Sequence, residues 1–428
     1  MQLRFQTRTV LADLIALLMA GAFASWQVFD TLSPWSSSRL FGQNPRPMLF
    51  LLVVGVALGS FVALRSISPY VQRPVYGRAF LTLAVATATV AIGTFLLRTY
   101  FSRPFVLVTL GTWLVLALAH RAWQRRLPWV ERMIVVTDEK ELAHGLSEAP
   151  HAEVVQVLDP LGSPPLQQLP RDVSLVVDLR AVLGDAMAQF VSSSTVAGLE
   201  VRPFVQTYEQ HVERVPLVHV NEGWEISVPL RRRQAYAPFK RTIEWVATAV
   251  TAPVWLLLMA ATAIAIRLDS PGPALFRQQR VGLEGRPFTI LKFRTMVVGA
   301  DKDGPQFTTP GDPRITRIGK FLRTTRLDEV PQLINVLRGD LALVGPRAEQ
   351  VAFADQFQQL IPFYRYRHLV RPGITGWAQV NSGYADSLDD TIEKLTYDLY
   401  YVRHMSPWLD LSVLWRSVIT VLSGKGAQ

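Results

Sequence analysis

Four apolar stretches fill the first 128 residues, roughly Val10–Val28, Met48–Leu64, Ala79–Leu97 and Pro104–Ala119. Each approaches the ~20 residues that a helix needs to cross a hydrocarbon core. A bundle of four transmembrane helices is therefore predicted. Composition points the same way: 49% of residues are hydrophobic and 18% charged, whereas soluble domains run nearer a quarter charged. The first stretch carries Asp13 and is not followed by a small-residue cleavage site, so it reads as a retained helix rather than a signal peptide. The absence of cysteine excludes disulfides, thiolate metal sites and a cysteine nucleophile.

Basic residues suggest the orientation. Arg4 and Arg8 precede the first span, Arg65, Arg73 and Arg78 separate the second from the third, and His120, Arg121, Arg125 and Arg126 follow the fourth. Arg39, Arg46, Arg98 and Arg103 lie in the opposite loops. The bias favours a cytoplasmic location for both ends of the bundle. A formal net charge of +10 also admits nucleic acid as a partner, but the basic residues gather at membrane flanks, where anionic headgroups account for them. No nucleic acid partner is expected.

Residues 129–235 change character. Met133–Val136 and Val173–Asp178 are short apolar runs separated by helix-like segments, Glu139–Leu146 and Gly184–Val196. That alternation predicts a Rossmann-like α/β domain with a parallel sheet. Thr137-Asp-Glu-Lys140 follows the first strand where a dinucleotide fingerprint would place glycines, so docking or regulation is the expected role.

A fifth apolar stretch runs from Thr242 to Ile266, interrupted by Pro253. Proline inside a helix removes a hydrogen bond and bends the axis, here freeing the carbonyl of Ala249 for a neighbouring element or a Ser/Thr hydroxyl. Basic residues flank both ends, Arg231–Arg233, Lys240 and Arg241 before and Arg267, Arg277 and Arg280 after. A crossing helix shows asymmetry instead. The expectation is a re-entrant helix over about residues 240–267 that dips into one leaflet and returns. Further on, Thr391–His404 and Trp408–Leu422 read as helices, and Tyr397, Tyr400, Tyr401, Trp408 and Trp415 suit either a membrane interface or a core.

Three clusters carry chemistry. The first is Arg277-Gln-Gln-Arg-Val-Gly282 with the strand-like Phe288–Met296, in which Lys292 and Arg294 alternate with apolar residues and share a face. The second is Arg323-Thr-Thr-Arg-Leu-Asp-Glu329, and the third is Val344-Gly-Pro-Arg347. Arginine's planar fork suits phosphate, and lysine serves as a point charge. A helix beginning near Asp328 and closing at Gly339 would aim free N–H groups at an anion. Asp328 and Glu329 also make an ordinary acidic first turn, and on their own are no more than that.

The strings "RQQRVG", "ILKFRTM", "RIGKFLRTTRLDEVPQLINVLRGDLALVGPR", "RPGITGWAQVNSG" and "KLTYDLYYVRHMSPWLDL" occur in this order. They resemble the polyprenyl-phosphate phosphoglycosyl transferases, the bacterial sugar transferases. With the four spans and "YEQHVERVPLVHV" upstream, the chain resembles the larger form of that family. The resemblance implies a monotopic catalytic domain over residues 236–428, with Asp328 as nucleophile and Glu329 as a metal or acid/base helper. Asp328 would attack the β-phosphate of a UDP-sugar, UDP-glucose or UDP-galactose, and release UMP. Undecaprenyl phosphate would then take the phosphosugar from the carboxylate. Mg²⁺ near Asp328 is the implied cofactor, and Lys292, Arg294, Arg323, Arg326 and Arg347 are the implied phosphate cations. Arg323, Arg326 and a helix N-terminus would keep Asp328 ionised. The setting would be the bacterial inner membrane, with the catalytic domain on the cytoplasmic face among membrane lipids. The product would begin an exopolysaccharide, capsule or O-antigen unit.

Three positions depart from the family pattern: Ala348 after Gly-Pro-Arg, Glu244 after Lys-Arg, and Ala252 before the breaking proline. Ala252 removes a hydroxyl from the break. A catalytically silent membrane scaffold is the alternative class, and the sequence leaves homo-oligomerisation open.

Overall fold

The computed structural model describes residues 2–32, 46–66, 76–97, 102–126, 129–165, 169–170, 172–221, 230–300, 312–382 and 387–422. The chain divides into two compact units, Met1–Val130 and Glu131–Gln428. Arg39, Arg73 and Arg98, used above for orientation, lie outside the described residues, as do the side chains of Arg4, Arg46, Arg65 and Arg231–Arg233.

The first unit is helical: α1 Gln2–Phe29, α2 Arg46–Ser66, α3 Tyr76–Leu97 and α4 Arg103–Arg126. Small residues let α2 and α3 approach closely. A Cβ on Gly59 would sit 2.7 Å from the Thr82 carbonyl oxygen, and one on Gly55 would sit 3.0 Å from the Ala86 Cα. Gly55-Val-Ala-Leu-Gly59 is thus a small-xxx-small contact of the kind that packs helices in lipid. Outward faces are apolar, with Leu18, Leu96 and Leu107 all strongly exposed. One buried ion pair ties the unit together: Arg121 donates from both terminal nitrogens to the Asp13 carboxylate, each at 2.9 Å.

The second unit opens with four parallel strands in the order β2-β1-β3-β4. They are β1 Glu131–Val136, β2 Ala152–Leu158, β3 Val173–Val177 and β4 Val201–Pro203. β3 is buried along its whole length, as expected of a strand covered on both faces. Helices α5 Lys140–Ser147 and α7 Phe204–Val212 cover one face, and α6 Asp185–Val196 the other. A charged group is nonetheless buried here. Glu131 accepts from Arg202 and pairs with His211 at 2.9 Å.

The long apolar stretch forms two helices, α8 Leu230–Val250 and α9 Ala252–Asp269. The break falls at Thr251, and Pro253 lies in the first turn of α9, where a missing N–H costs nothing. The carbonyls that receive side-chain donors at the break are those of Ala247 and Thr248. The Thr251 hydroxyl reaches both, at 2.8 and 3.2 Å, and the Trp255 indole reaches Thr248 at 3.0 Å. Thr251 and Trp255 therefore cap the break, and Ala252 in place of a hydroxylic residue does not leave it bare. Five helices of the described chain, α1 to α4 and α9, are long and apolar enough to cross a membrane.

The remainder is built around a hairpin, β5 Leu275–Val281 with β6 Pro287–Phe293, and a short parallel pair, β7 Ala342–Val344 with β8 Gly373–Thr375. Three helices follow β7: α12 Val351–Leu360, α14 Leu388–His404 and α15 Pro407–Leu422, with the short α13 Trp377–Asn381 before α14. Two further helices, α10 Arg317–Thr324 and α11 Gln332–Arg338, precede β7. The aromatic residues of α14 and α15 divide. Tyr401 is buried in the core and Tyr397 and Tyr400 pack against it, whereas Trp415 is exposed.

Burial raises the Glu131 carboxyl, but the His211 hydrogen bond and the Arg202 charge outweigh it and hold Glu131 below its usual range. A lowered folded-state pKa gives stability that is present above the ordinary carboxylate range and is lost as pH falls through the folded value. Glu131→Leu strands Arg202 as an unpaired buried charge. It is expected to cost about 3–5 kcal/mol at neutral pH, read by denaturant unfolding, with the deficit shrinking as pH is lowered.

Candidate active site

Asp328 and Glu329 lie in a single 3-10 turn, Leu327–Glu329, entered through Arg326 in the left-handed region at φ 58°. That conformation is uncommon for a residue with a side chain and marks a locally strained backbone. The α-helix itself starts later, at Gln332, after Pro331 at its cap. This corrects the expected helix start near Asp328. The amides of Glu329 and Val330 are already spent on the carbonyls of Arg326 and Leu327, so they are not free for an anion. Gly339 ends the helix as expected, at φ 89°.

The two carboxylates have opposite surroundings. Glu329 is buried and receives Lys292 Nζ and Arg347 Nη2 on the same oxygen, each at 3.2 Å. Burial alone would raise its pKa, but Lys292, Arg347 and Arg326 pull it down to about 2. Glu329 is thus a fixed anion that organises cations. Asp328 is half-buried, and its Oδ1 is inaccessible to solvent and has no hydrogen-bond partner. Burial and the adjacent Glu329 charge raise its pKa, against the pull of Lys292, Arg326 and Arg347. A carboxylate made more basic without being tied down is suited to nucleophilic attack.

Of the five cations expected at phosphate, the structure brings three to the pair: Lys292, Arg347 and Arg326. Arg347 keeps 37% of its side chain exposed, so it can still reach a ligand. The other two bond elsewhere. Arg294 lies just past the end of β6, where strand alternation no longer applies, and its guanidinium donates to the carbonyls of Ser270 and Pro271, at 2.8 Å each. Those carbonyls lie at the C-terminus of α9, so Arg294 caps a helix. Arg323 donates to the Thr295 hydroxyl at 2.9 Å and its charge acts on Asp312. Arg280, by contrast, comes near: it donates to the Ala348 carbonyl at 3.0 Å, and burial and Arg347 lower its pKa to about 10.

Three supports were not read from the sequence. Asn335 is fully buried within α11. It accepts from Leu291 N at 3.0 Å and donates to the Thr289 carbonyl at 2.8 Å, locking α11 to the strand that carries Lys292. Arg367, also buried, donates to the Arg347 carbonyl at 3.1 Å and pairs with Asp398 at 2.7 Å. Glu244 accepts from the Leu343 amide at 3.0 Å and pairs with Lys240 at 2.7 Å, tying α8 to β7 just before Gly-Pro-Arg. An Asn inside the apolar run Leu-Ile-Asn-Val-Leu was the available signal for the first, because a buried amide demands partners. Gly345 is dictated by close approach, since a Cβ there would meet the Arg371 carbonyl oxygen at 2.4 Å.

Among the described residues no group of three His, Asp or Glu could hold a metal ion. Mg²⁺, however, is commonly held by one or two carboxylates together with substrate phosphates. The unpartnered Asp328 Oδ1 fits that mode, with Glu329 already committed to its cations.

Residues 235–424 match the family model described as Bacterial sugar transferase. Over 256 residues the chain is 44% identical to a UDP-N-acetylgalactosamine-undecaprenyl-phosphate N-acetylgalactosaminephosphotransferase of Aeromonas hydrophila, covering 60% of each chain. It is 44% identical over 172 residues to a UDP-glucose:undecaprenyl-phosphate glucose-1-phosphate transferase of Escherichia coli, covering 40% of this chain and 37% of that one. A Caulobacter vibrioides protein of the same name is 43% identical over 192 residues, covering 44% of this chain and 71% of the relative. The matches thus take in only part of the Aeromonas and Escherichia proteins. The chain belongs to the bacterial sugar transferase family.

Asn335→Leu would leave the Leu291 amide and the Thr289 carbonyl unsatisfied. It is expected to cost about 2–4 kcal/mol in unfolding free energy. Denaturant unfolding of the parent and the variant checks this.

Proposed function

We propose that this protein transfers a sugar 1-phosphate from a UDP-sugar to undecaprenyl phosphate through an aspartyl intermediate. The observation that carries this reading is an Asp328 carboxylate with one unpartnered oxygen and a raised pKa, beside a Glu329 fixed by Lys292 and Arg347. In the first step an Asp328 oxygen attacks the β-phosphorus. The bond from that phosphorus to the oxygen bridging it to the α-phosphate breaks, and UMP leaves with that oxygen. In the second step a phosphate oxygen of the polyprenyl carrier attacks the same phosphorus. The carboxylate is released and the lipid diphosphate sugar is formed. Splitting one displacement into two is the advantage of covalent catalysis. An anion attacking a diphosphate needs charge relief, which Arg326, Lys292 and Arg347 supply. Mg²⁺, held by Asp328 and the substrate, would neutralise further phosphate charge.

The proposed organisation is a four-span bundle over residues 1–128, an α/β domain over 129–235 and a catalytic domain over 236–428. The catalytic domain would contact the cytoplasmic leaflet of the bacterial inner membrane. In this reading α8 and α9 form a re-entrant element over about 240–267. Basic flanks on both sides and capped carbonyls at Thr251 support a bend over a crossing. Both substrates then meet on one face, the cytosolic nucleotide sugar and the lipid phosphate. The product would serve exopolysaccharide, capsule or O-antigen assembly.

UDP-glucose or UDP-galactose is the proposed donor. A second reading, an N-acetylhexosamine donor, is favoured by the Aeromonas relative. Its match spans more residues than lie beyond position 235 and so extends into the α/β domain.

Purified protein with Mg²⁺, undecaprenyl phosphate and each of UDP-glucose, UDP-galactose and UDP-N-acetylgalactosamine tests the reaction by UMP release. One donor should support turnover, and Asp328→Asn should abolish it. No release with any donor, from folded protein, would leave the scaffold alternative. Without lipid acceptor, a single equivalent of UMP per active site is expected. The cysteine-free chain also permits a topology test. Single cysteines at Thr242 and Ile266 should both react with an impermeant reagent from the cytoplasmic side. Labelling from opposite sides would make this element a crossing helix.

A further inference from the structure

The N-terminal unit buries two arginines and one carboxylate. Asp13, Arg78 and Arg121 are 1%, 4% and 1% exposed. Asp13 is fully engaged: Arg121 donates to Oδ1 and Oδ2, the Ser60 hydroxyl donates to Oδ2 at 3.0 Å, and the Trp113 indole donates to the Asp13 carbonyl at 2.9 Å. Nothing in this arrangement is left for Arg78. Its Nε has no hydrogen-bond partner, and no carboxylate among the described residues pairs with its guanidinium. The Thr82 hydroxyl turns to the Arg78 carbonyl instead.

A buried guanidinium with an unsatisfied Nε and no carboxylate partner is costly, and in a membrane unit it persists where an anion answers it. Its place in the fold says which kind. Arg78 is in the first turn of α3 and Arg121 in the last turns of α4, while Ser60 lies near the C-terminus of α2. The bonds to Asp13 bring Arg121 and Ser60 together at one end of the four-helix unit, and Gly59, next to Ser60, packs against Thr82 one turn from Arg78. Arg125 is at the same end, over the Tyr76 ring at 5.1 Å. Phe80, half a turn from Arg78, is exposed on the apolar outer surface. A cation at the end of an apolar bundle sits at headgroup depth, where phosphates are concentrated and where arginine's fork matches their oxygens.

We propose that Arg78 holds the phosphate of an anionic lipid headgroup at this end of the bundle, with the Asp13–Arg121 pair as its fixed neighbour. The site rests on the membrane reading of α1 to α4 and is independent of the transferase chemistry, so UMP release plays no part in its test.

Full-length protein would be placed in phosphatidylcholine nanodiscs and titrated with phosphatidylglycerol in one arm and inorganic phosphate in another. Thermal unfolding and retained anionic lipid after exchange would be read in each. Phosphatidylglycerol should raise the unfolding midpoint on the order of 5 °C and leave one tightly held lipid per chain. Arg78→Met should lose both responses, yet be at least as stable as the parent in phosphatidylcholine alone, because it removes an unpaired charge. Arg78→Lys should keep a weaker response. Equal responses of the parent and Arg78→Met to phosphatidylglycerol would overturn the proposal, as would an Arg78→Met chain that is destabilised without anionic lipid. A full shift with inorganic phosphate would overturn the lipid as the source of the anion.

Discussion

The catalytic half of this protein turns on one carboxylate oxygen. Glu329 Oε1 accepts from Lys292 and from Arg347, which arrive on separate segments, the β6 strand and the loop after β7. Neither cation could stay in this half-buried setting without it, and it would not stay ionised without them. The consequence falls on its neighbour. Asp328 stands in the same field of positive charge but receives no hydrogen bond on Oδ1. One acid absorbs the structural demand and frees the other for chemistry. Two adjacent carboxylates with environments that drive their pKa values apart are a recognised way of assigning different roles.

Much of what holds this arrangement lies one layer further out and is polar. Asn335 stitches α11 to β6, Arg367 holds the Arg347 backbone against Asp398, and Glu244 fastens α8 to β7. Such networks are strong when every member is satisfied and costly when one is missing. They also connect the apolar helices to the site. Lys240 and Glu244, on α8, share the Asp410 region with Tyr236 and Tyr401. The element that meets the bilayer in the proposed function is therefore bonded to the strand leading into Gly-Pro-Arg.

Much of this was legible beforehand, and the misses share a cause. Hydropathy located the four N-terminal helices, alternation found the β1 and β3 strands, and Pro253 marked the break to within two residues. The Asp-Glu pair and three of its cations were visible from motif order. Arg294 and Arg323 bond elsewhere, because charge and spacing say that a guanidinium is present, not which acceptor it will find. The open carbonyls at the end of α9 won Arg294, and Thr295 won Arg323. Likewise proline at position 331 fixed where α11 could begin, and the acidic pair fell one turn ahead of it. Local sequence proposes donors and acceptors; the pairing is decided by tertiary proximity.

The same reasoning separates two of the chain's buried ionic groups. Around Glu329 the positive charge exceeds the negative, a balance that a diphosphate substrate would complete in the proposed function. Around Asp13 the positive charge also exceeds the negative, with Arg78 left over. An excess of buried charge in a folded chain is a statement about something outside the chain. At the acidic pair the cations are partly open, as Arg347 is, which in the proposed function suits a substrate phosphate that comes and goes. At the bundle end Arg78 is nearly sealed, which suits a ligand that stays.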